Sequence, residues 1–366
     1  MMCKINAVFV GIYVPEVVPM VCKGHNGHFQ APKTEENTPE SACKRITTAC
    51  KLLQSILADK LREFKLKPKT FTLESNCHIF YSNLDAASTY KMTQIDLWYY
   101  FAREIMSSDI GHSNRKYIAF LSCTVYEGTD YFDDMSYEEV LDLVKGYVAY
   151  GGDGLALLST ACLYTWPETQ TEIYARFNDF ELVDRTQFMD DSCYRGTLSG
   201  CFATTLGAAL HELCHTFNLG HTETGIMGCD FGNTQNIFLA NTQLQRFSRL
   251  RYRNDLLKSN GDYMELLNSS LAILYYHKWF NPYSKQARKC TFKYDSANKV
   301  VRSTAGIRVI EIRREIDSMV LKSWTFVDKV LKFSFSVFED VKNLENSIIL
   351  YVVDDGGNIF TEPICS

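Results

Sequence analysis

His211-Glu212-Leu213-Cys214-His215-Thr216-Phe217-Asn218-Leu219-Gly220-His221 sets histidines at relative positions 1, 5 and 11 and a glutamate at position 2. The residues leading into it, from about Ser199 to Phe217, carry apolar side chains at helical spacing, and Ser199 reads as the helix N-cap. At about 100° per residue with Phe202 as zero, Leu206, Leu210, Leu213 and Phe217 fall between about 20° and 80°, one apolar face. His211 and His215 fall at about 180° and 220°, beside the short side chains of Thr204 and Ala208. Two imidazoles can then aim at one point. A zinc ion needs nitrogen ligands about 2.0–2.1 Å away in near-tetrahedral directions. For His221 to join only six residues after His215 the chain must reverse, and Asn218 and Gly220, which tolerate positive φ, stand where it has to. The fourth position is left for water, and Glu212, at about 280°, is placed to take its proton rather than to ligate.

With 8 histidines and 43 acidic residues in 366, the His-acid-x-x-His pattern is expected by chance in roughly 0.02 chains of this composition, and the third histidine lowers that to about 0.0005. Chance is a poor explanation.

Outward from this segment, strands and helices alternate. The apolar run 5–14 reads as a buried strand, cut short at Pro15-Glu16. A polar loop follows, then a helix from Ser41 to about Phe64, a strand at 78–82, a helix around 93–107, a strand at 117–125 and a helix at 137–145. Gly151-Gly152-Asp153-Gly154 opens an extended run to Tyr164, the candidate edge strand for pairing with an extended peptide. This order implies an α/β layer with a mixed, mostly parallel sheet. After the linker-like Asn281-Pro282-Tyr283-Ser284 the period changes: 331–337 alternates, and 348–353 runs into the hairpin signal Asp354-Asp355-Gly356-Gly357. The expected division is therefore residues 1–284 and a small β-rich C-terminal domain, 285–366.

A net charge of −5 and a pI near 5.9 argue against nucleic acid as partner. No apolar run reaches the ~18 residues of a membrane span. Thirteen cysteines without a C-x-x-C pair argue against a disulfide framework and for a reducing compartment, hence the cytoplasm. Cys22-x-x-His25-x-x-His28 reads as a plain loop, Cys214 as a buried small hydrophobe, and His78, His112 and His277 as structural. The oligomeric state is not readable from the sequence.

The histidine spacing is that of the metzincin zinc proteases, and Gly225-Ile226-Met227 resembles their Met-turn. Together with the loop at 21–29 before a long helix, the segment Gly196 to Thr222 and the β-rich tail, it resembles a little-studied eukaryotic family assigned as zinc metallopeptidases, known mostly from fungi. The resemblance implies a metzincin-like α/β protease domain with an active-site helix. It implies one catalytic Zn2+ on His211, His215 and His221, a water activated by Glu212, and Met227 as a hydrophobic floor that does not ligate. The substrate would be a peptide or protein. Asn218 stands where metzincins usually carry glycine, and Cys229-Asp230 where a basic residue and a glycine are usual. These departures frame the alternative, a catalytically inactive zinc-containing binding protein acting through its β-rich C-terminal domain.

Overall fold

The computed structural model describes residues 14–74, 77–132, 135–239, 264–281, 291–334 and 347–364. The elements run β1 Val14–Lys23, α1 Pro39–Glu63, β2 Phe80–Asp85, α2 Ala86–Thr89, α3 Gln94–Met106, β3 Arg115–Leu121, β4 Val125–Tyr126, α4 Tyr137–Asp142, β5 Val144–Lys145, β6 Ala149–Gly152, β7 Leu155–Ser159, α5 Ile173–Phe177, α6 Leu198–Thr216, α7 Gln235–Phe238 and α8 Asn268–Tyr276. A sheet then follows from β8 Phe292–Asp295, β9 Val300–Arg314, β10 Val320–Ser334, β11 Ile348–Asp354 and β12 Ile359–Ile364.

The first sheet has the order β2-β1-β3-β7-β6, parallel from β2 to β7 with β6 antiparallel at the rim. The mixed α/β architecture expected from the alternation is present. The strand expected at 5–14 lies outside the described residues apart from Val14, and the stretch taken for a loop is itself β1. Pro15 is what ends the strand in the sequence reading, since proline normally avoids central strands, and Pro19 lies further along β1. Here Val17 O accepts from His78 N on the β2 side while Met20 O accepts from Ser122 N on the β3 side. Alternation then turns the nitrogens of Pro15 and Pro19 towards β2, whose ladder with β1 starts at Met20 apart from the Val17–Cys77 bridge. The missing donors therefore cost few ladder bonds.

One face of this sheet is covered by α1 and α6. Ile46, Leu53, Ile56 and Leu57 of α1 share a core with Phe202, Leu206, Leu210, Leu213 and Phe217 of α6, the apolar face foreseen on the wheel. The other face packs on α3 through Leu97, Trp98, Phe101 and Ile105. The N-cap of α6 is Thr197, whose side chain accepts from Gly200 N at 3.1 Å; Ser199 sits inside the first turn. A disulfide joins Cys43 of α1 to Cys77 ahead of β2, contrary to the expectation of free thiols, while eight other described cysteines are free. No described helix is long and apolar enough to cross a membrane.

The second sheet runs β10-β9-β11-β12 with β8 on β9, antiparallel throughout. Asp354-Asp355-Gly356-Gly357 turns β11 into β12 as its sequence predicts, Asp354 accepting from the Gly356 and Asn358 amides. Val309, Tyr351 and Val353 join the same core as α6 and α8, so this sheet is packed into the body of the molecule. The expected boundary at 284/285 falls outside the described residues.

Candidate metal centre

The last turns of α6 carry His211 and His215, and the helix stops at Thr216. Asn218 takes φ 65° and Leu219 N returns to Cys214 O at 3.2 Å, a left-handed helix stop that sends the chain back past Gly220 to His221. The three Nε2 atoms meet: His215 lies 3.0 Å from His211 and 3.0 Å from His221. Each Nδ1 faces a backbone carbonyl, Ile226 O at 2.8 Å for His211, Leu219 O at 2.9 Å for His215 and Asp317 O at 2.5 Å for His221. A carbonyl can only accept, so the proton of each neutral ring is on Nδ1 and three bare Nε2 lone pairs point at one another. Such an arrangement is repulsive unless a cation lies among them. A shared proton is a poor candidate, because burial pushes His211 down to about 4 and His215 to about 3. The donor set, three imidazoles within 4.8 Å of one another, fits a zinc ion.

Glu212 follows on the next helical position. Burial pushes its carboxyl up to about 7, opposed by the Gly151 backbone amide. Gly151 belongs to β6, and a Cβ there would lie 2.0 Å from the Glu212 carbonyl oxygen, so only glycine lets strand and helix approach this closely. The edge of the sheet among the described residues is thus β6 and not the run 155–164: β7 is enclosed between β3 and β6, and the chain beyond Ser159 leaves strand geometry for a 3-10 turn at Leu163–Thr165.

Met227 is buried beneath a tight turn in which Thr222 N donates to Met227 O and Gly225 takes φ 78°. The same turn supplies the carbonyl that orients His211. Asp230 accepts from Gly225 N at 2.8 Å, which gives the departure Asp230 a local role. Cys214 is fully buried in the core, as its wheel position implies. Cys22, His25 and His28 form no cluster: His25 Nδ1 accepts from Gly27 N and His28 Nδ1 pairs with Asn37 Oδ1.

Sequence reasoning missed the hairpin between β9 and β10. Beyond Asp317, this hairpin places Val320 N on His221 O at 2.9 Å and Arg313 on Asn218 O at 2.9 Å. A Cβ on Gly220 would meet Ser318 O at 2.5 Å. Arg313 is fixed in turn by the buried Glu311 and by the Tyr351 ring, 3.7 Å away. Main-chain acceptors leave no residue-type signature, so nothing in the sequence marked Asp317. From the other side, His277 Nε2 lies 3.3 Å from Asn218 Oδ1.

A family model described as "Putative peptidase family" (Metallopep) matches residues 13–306. A Saccharomyces cerevisiae protein described as "Putative zinc metalloproteinase YIL108W" is 32% identical over 89 residues, which is 23% of this chain and 13% of the yeast protein. Among solved structures, wild-type OgpA from Akkermansia muciniphila in crystal form P 41 21 2 has a TM-score of 0.51 at 13% identity, covering 96% of this chain and 92% of that one. Its P 21 21 21 form gives 0.49 at 13% identity, with 96% and 91% covered. At that identity the likeness is one of fold.

Proposed function

The chain belongs to the metallopeptidase family matched over residues 13–306, and from that premise we propose that it is a zinc-dependent endopeptidase of the metzincin type. The observation that carries the proposal is the convergence of three Nε2 atoms whose rings are each anchored through Nδ1 to a carbonyl. In this reading His211, His215 and His221 hold one zinc ion, and Met227 lies in the supporting turn. Residues 1–284 form the peptidase unit, and the β-rich residues 285–366 brace the His221 turn.

When bound, the zinc supplies a Lewis acid that lowers the pKa of water towards about 7 and polarises the scissile carbonyl. Glu212 takes the proton of the attacking water and passes it to the departing amine, a double duty suited to a carboxyl that burial lifts to about 7, where both its forms are accessible. The peptide lies extended beside β6, bringing its carbonyl next to Glu212.

Comparing Glu212→Ala with His215→Ala tests this. In a peptide-library cleavage assay with metal analysis, the first variant keeps zinc and loses turnover, and the second loses both. A Glu212→Ala protein that cleaves as fast as the parent removes the mechanism. Turnover by the parent that a chelator abolishes excludes the inactive binding protein.

A further inference from the structure

A cavity of about 720 Å3 opens at the start of β3 and β7, between α3 and the turn that follows α8, and none of His211, Glu212, His215 or His221 lines it. Its volume lies within the range of small-molecule pockets, about 300–1,000 Å3. Among the described residues, Arg115, Lys116 and Lys278 line it against a single carboxylate residue, Asp153. Arg115 is already neutralised, pairing with the buried Glu16 at 2.8 Å.

Lys116 is different. Its side chain is buried, 7% exposed, and its ammonium donates to the Asp153 main-chain carbonyl and lies 5.2 Å from the centre of the Trp279 ring. No carboxylate among the described residues forms an ion pair with it. A buried ammonium that feels the Asp153 carboxylate only from beyond ion-pair distance is costly to hold. Its pKa is pushed down to about 8, by burial first and then by the like charge of Lys278, against an opposing pull from the Asp153 carboxylate. Trp98, Ile105 and Met106 of α3 give the same cavity an apolar wall.

We propose that this cavity binds a small organic anion whose oxyanion group rests on Lys116 and whose apolar body lies against Trp98 and Met106. The anion supplies the close ion pair that Asp153, which meets Lys116 through its main-chain carbonyl, does not, and the donors of a compact ammonium suit carboxylate or phosphate oxygens. The site shares Asn218 with the turn before His221 but none of the three histidines, so it stands whether or not they hold zinc.

The test uses the full chain and two fluorescent probes, 1-anilinonaphthalene-8-sulfonate and its neutral counterpart N-phenyl-1-naphthylamine. The sulfonate is expected to bind at least about tenfold more tightly, and Lys116→Met to weaken it by about tenfold or more while changing the neutral probe by less than about threefold. Gly154→Phe, at a position where a Cβ meets nothing within 4 Å, is expected to fill the cavity and abolish sulfonate binding. Displacement by phenyl phosphate or by benzoate identifies the preferred headgroup. Equal affinity for the two probes, parental sulfonate binding by either variant, or displacement by neither competitor at about 10 mM overturns the proposal. The Gly154→Phe arm keeps the test decisive should Lys116→Met fail to fold.

Discussion

Gly151→Ala puts one methyl group where β6 meets α6, and its consequences can be worked from the geometry. The new Cβ would lie 2.0 Å from the Glu212 carbonyl oxygen and 2.6 Å from its carbonyl carbon. Non-bonded heavy atoms settle at about 3.5–4.0 Å, so strand and helix must part by about 1 Å or more. Overpacking of this kind costs about 1–3 kcal/mol of stability. The larger effect falls on chemistry, because the same contact sets the Glu212 carboxylate beside the strand proposed to align the peptide. A displacement of about 1 Å at such a site costs about 100-fold in rate. Gly152→Ala is the matched control, since its Cβ would meet only a Trp98 ring atom at 3.8 Å. Urea unfolding, zinc content and kcat on a cleaved peptide are to be measured for both. Gly151→Ala should keep its zinc and lose about two decades of kcat, with Gly152→Ala close to the parent. If Gly151→Ala turns over within about threefold of the parent, or if both alanines are equally damaging, the proposed coupling of β6 to Glu212 is wrong.

Arg313→Met strands the buried Glu311 and frees the Asn218 carbonyl; a loss of about 3–5 kcal/mol in urea unfolding and weaker zinc retention in chelator competition are expected. Asn218→Ala at φ 65° should cost about 1–2 kcal/mol, whereas Asn218→Gly should stay near the parent because relief of backbone strain offsets the lost contact to His277. In the metal-free protein burial holds His211 at about 4 and His215 and His277 at about 3, against the ordinary 6.5. The unfolded chain binds more protons below pH 6.5. The stability of these neutral rings is therefore full above that pH and is lost as pH falls towards 4, by at most about 1.4 kcal/mol per ring per pH unit. Urea midpoints at pH 7.5, 6 and 5 check this, and a flat series would contradict it.

The parts of the fold that were legible are those where local chemistry decides. The 3.6-residue spacing of Leu206, Leu210, Leu213 and Phe217 fixed both the core face of α6 and the direction of His211 and His215, and Asn218 adopts the left-handed conformation that the short span to His221 required. Apart from the N-cap of α6, which lies two residues before Ser199, the differences come from a long-range partner overriding a local signal. Pro15 and Pro19 look like strand breakers until the sparse β2 ladder beside them is known. Gly151 opens an extended run in the sequence, but nothing local shows that Glu212 is set against it. The run 155–164 looked like an edge because nothing local shows that β6 folds back over it. The β-rich tail was legible as strands, yet its grip on the His221 turn runs from His221 to the carbonyl of Asp317 and from Asn218 to Arg313, 96 and 95 positions apart, with Arg313 held by the buried Glu311.

The central claim is that His211, His215 and His221 together hold a divalent cation. Elemental analysis of the chain purified without a metal-chelating tag addresses it most directly. The account predicts one zinc per chain in the parent, retained in Glu212→Ala and lost in His211→Ala and in His221→Ala. A parent free of metal after incubation with zinc, or a His221→Ala protein that keeps its full complement, would contradict it.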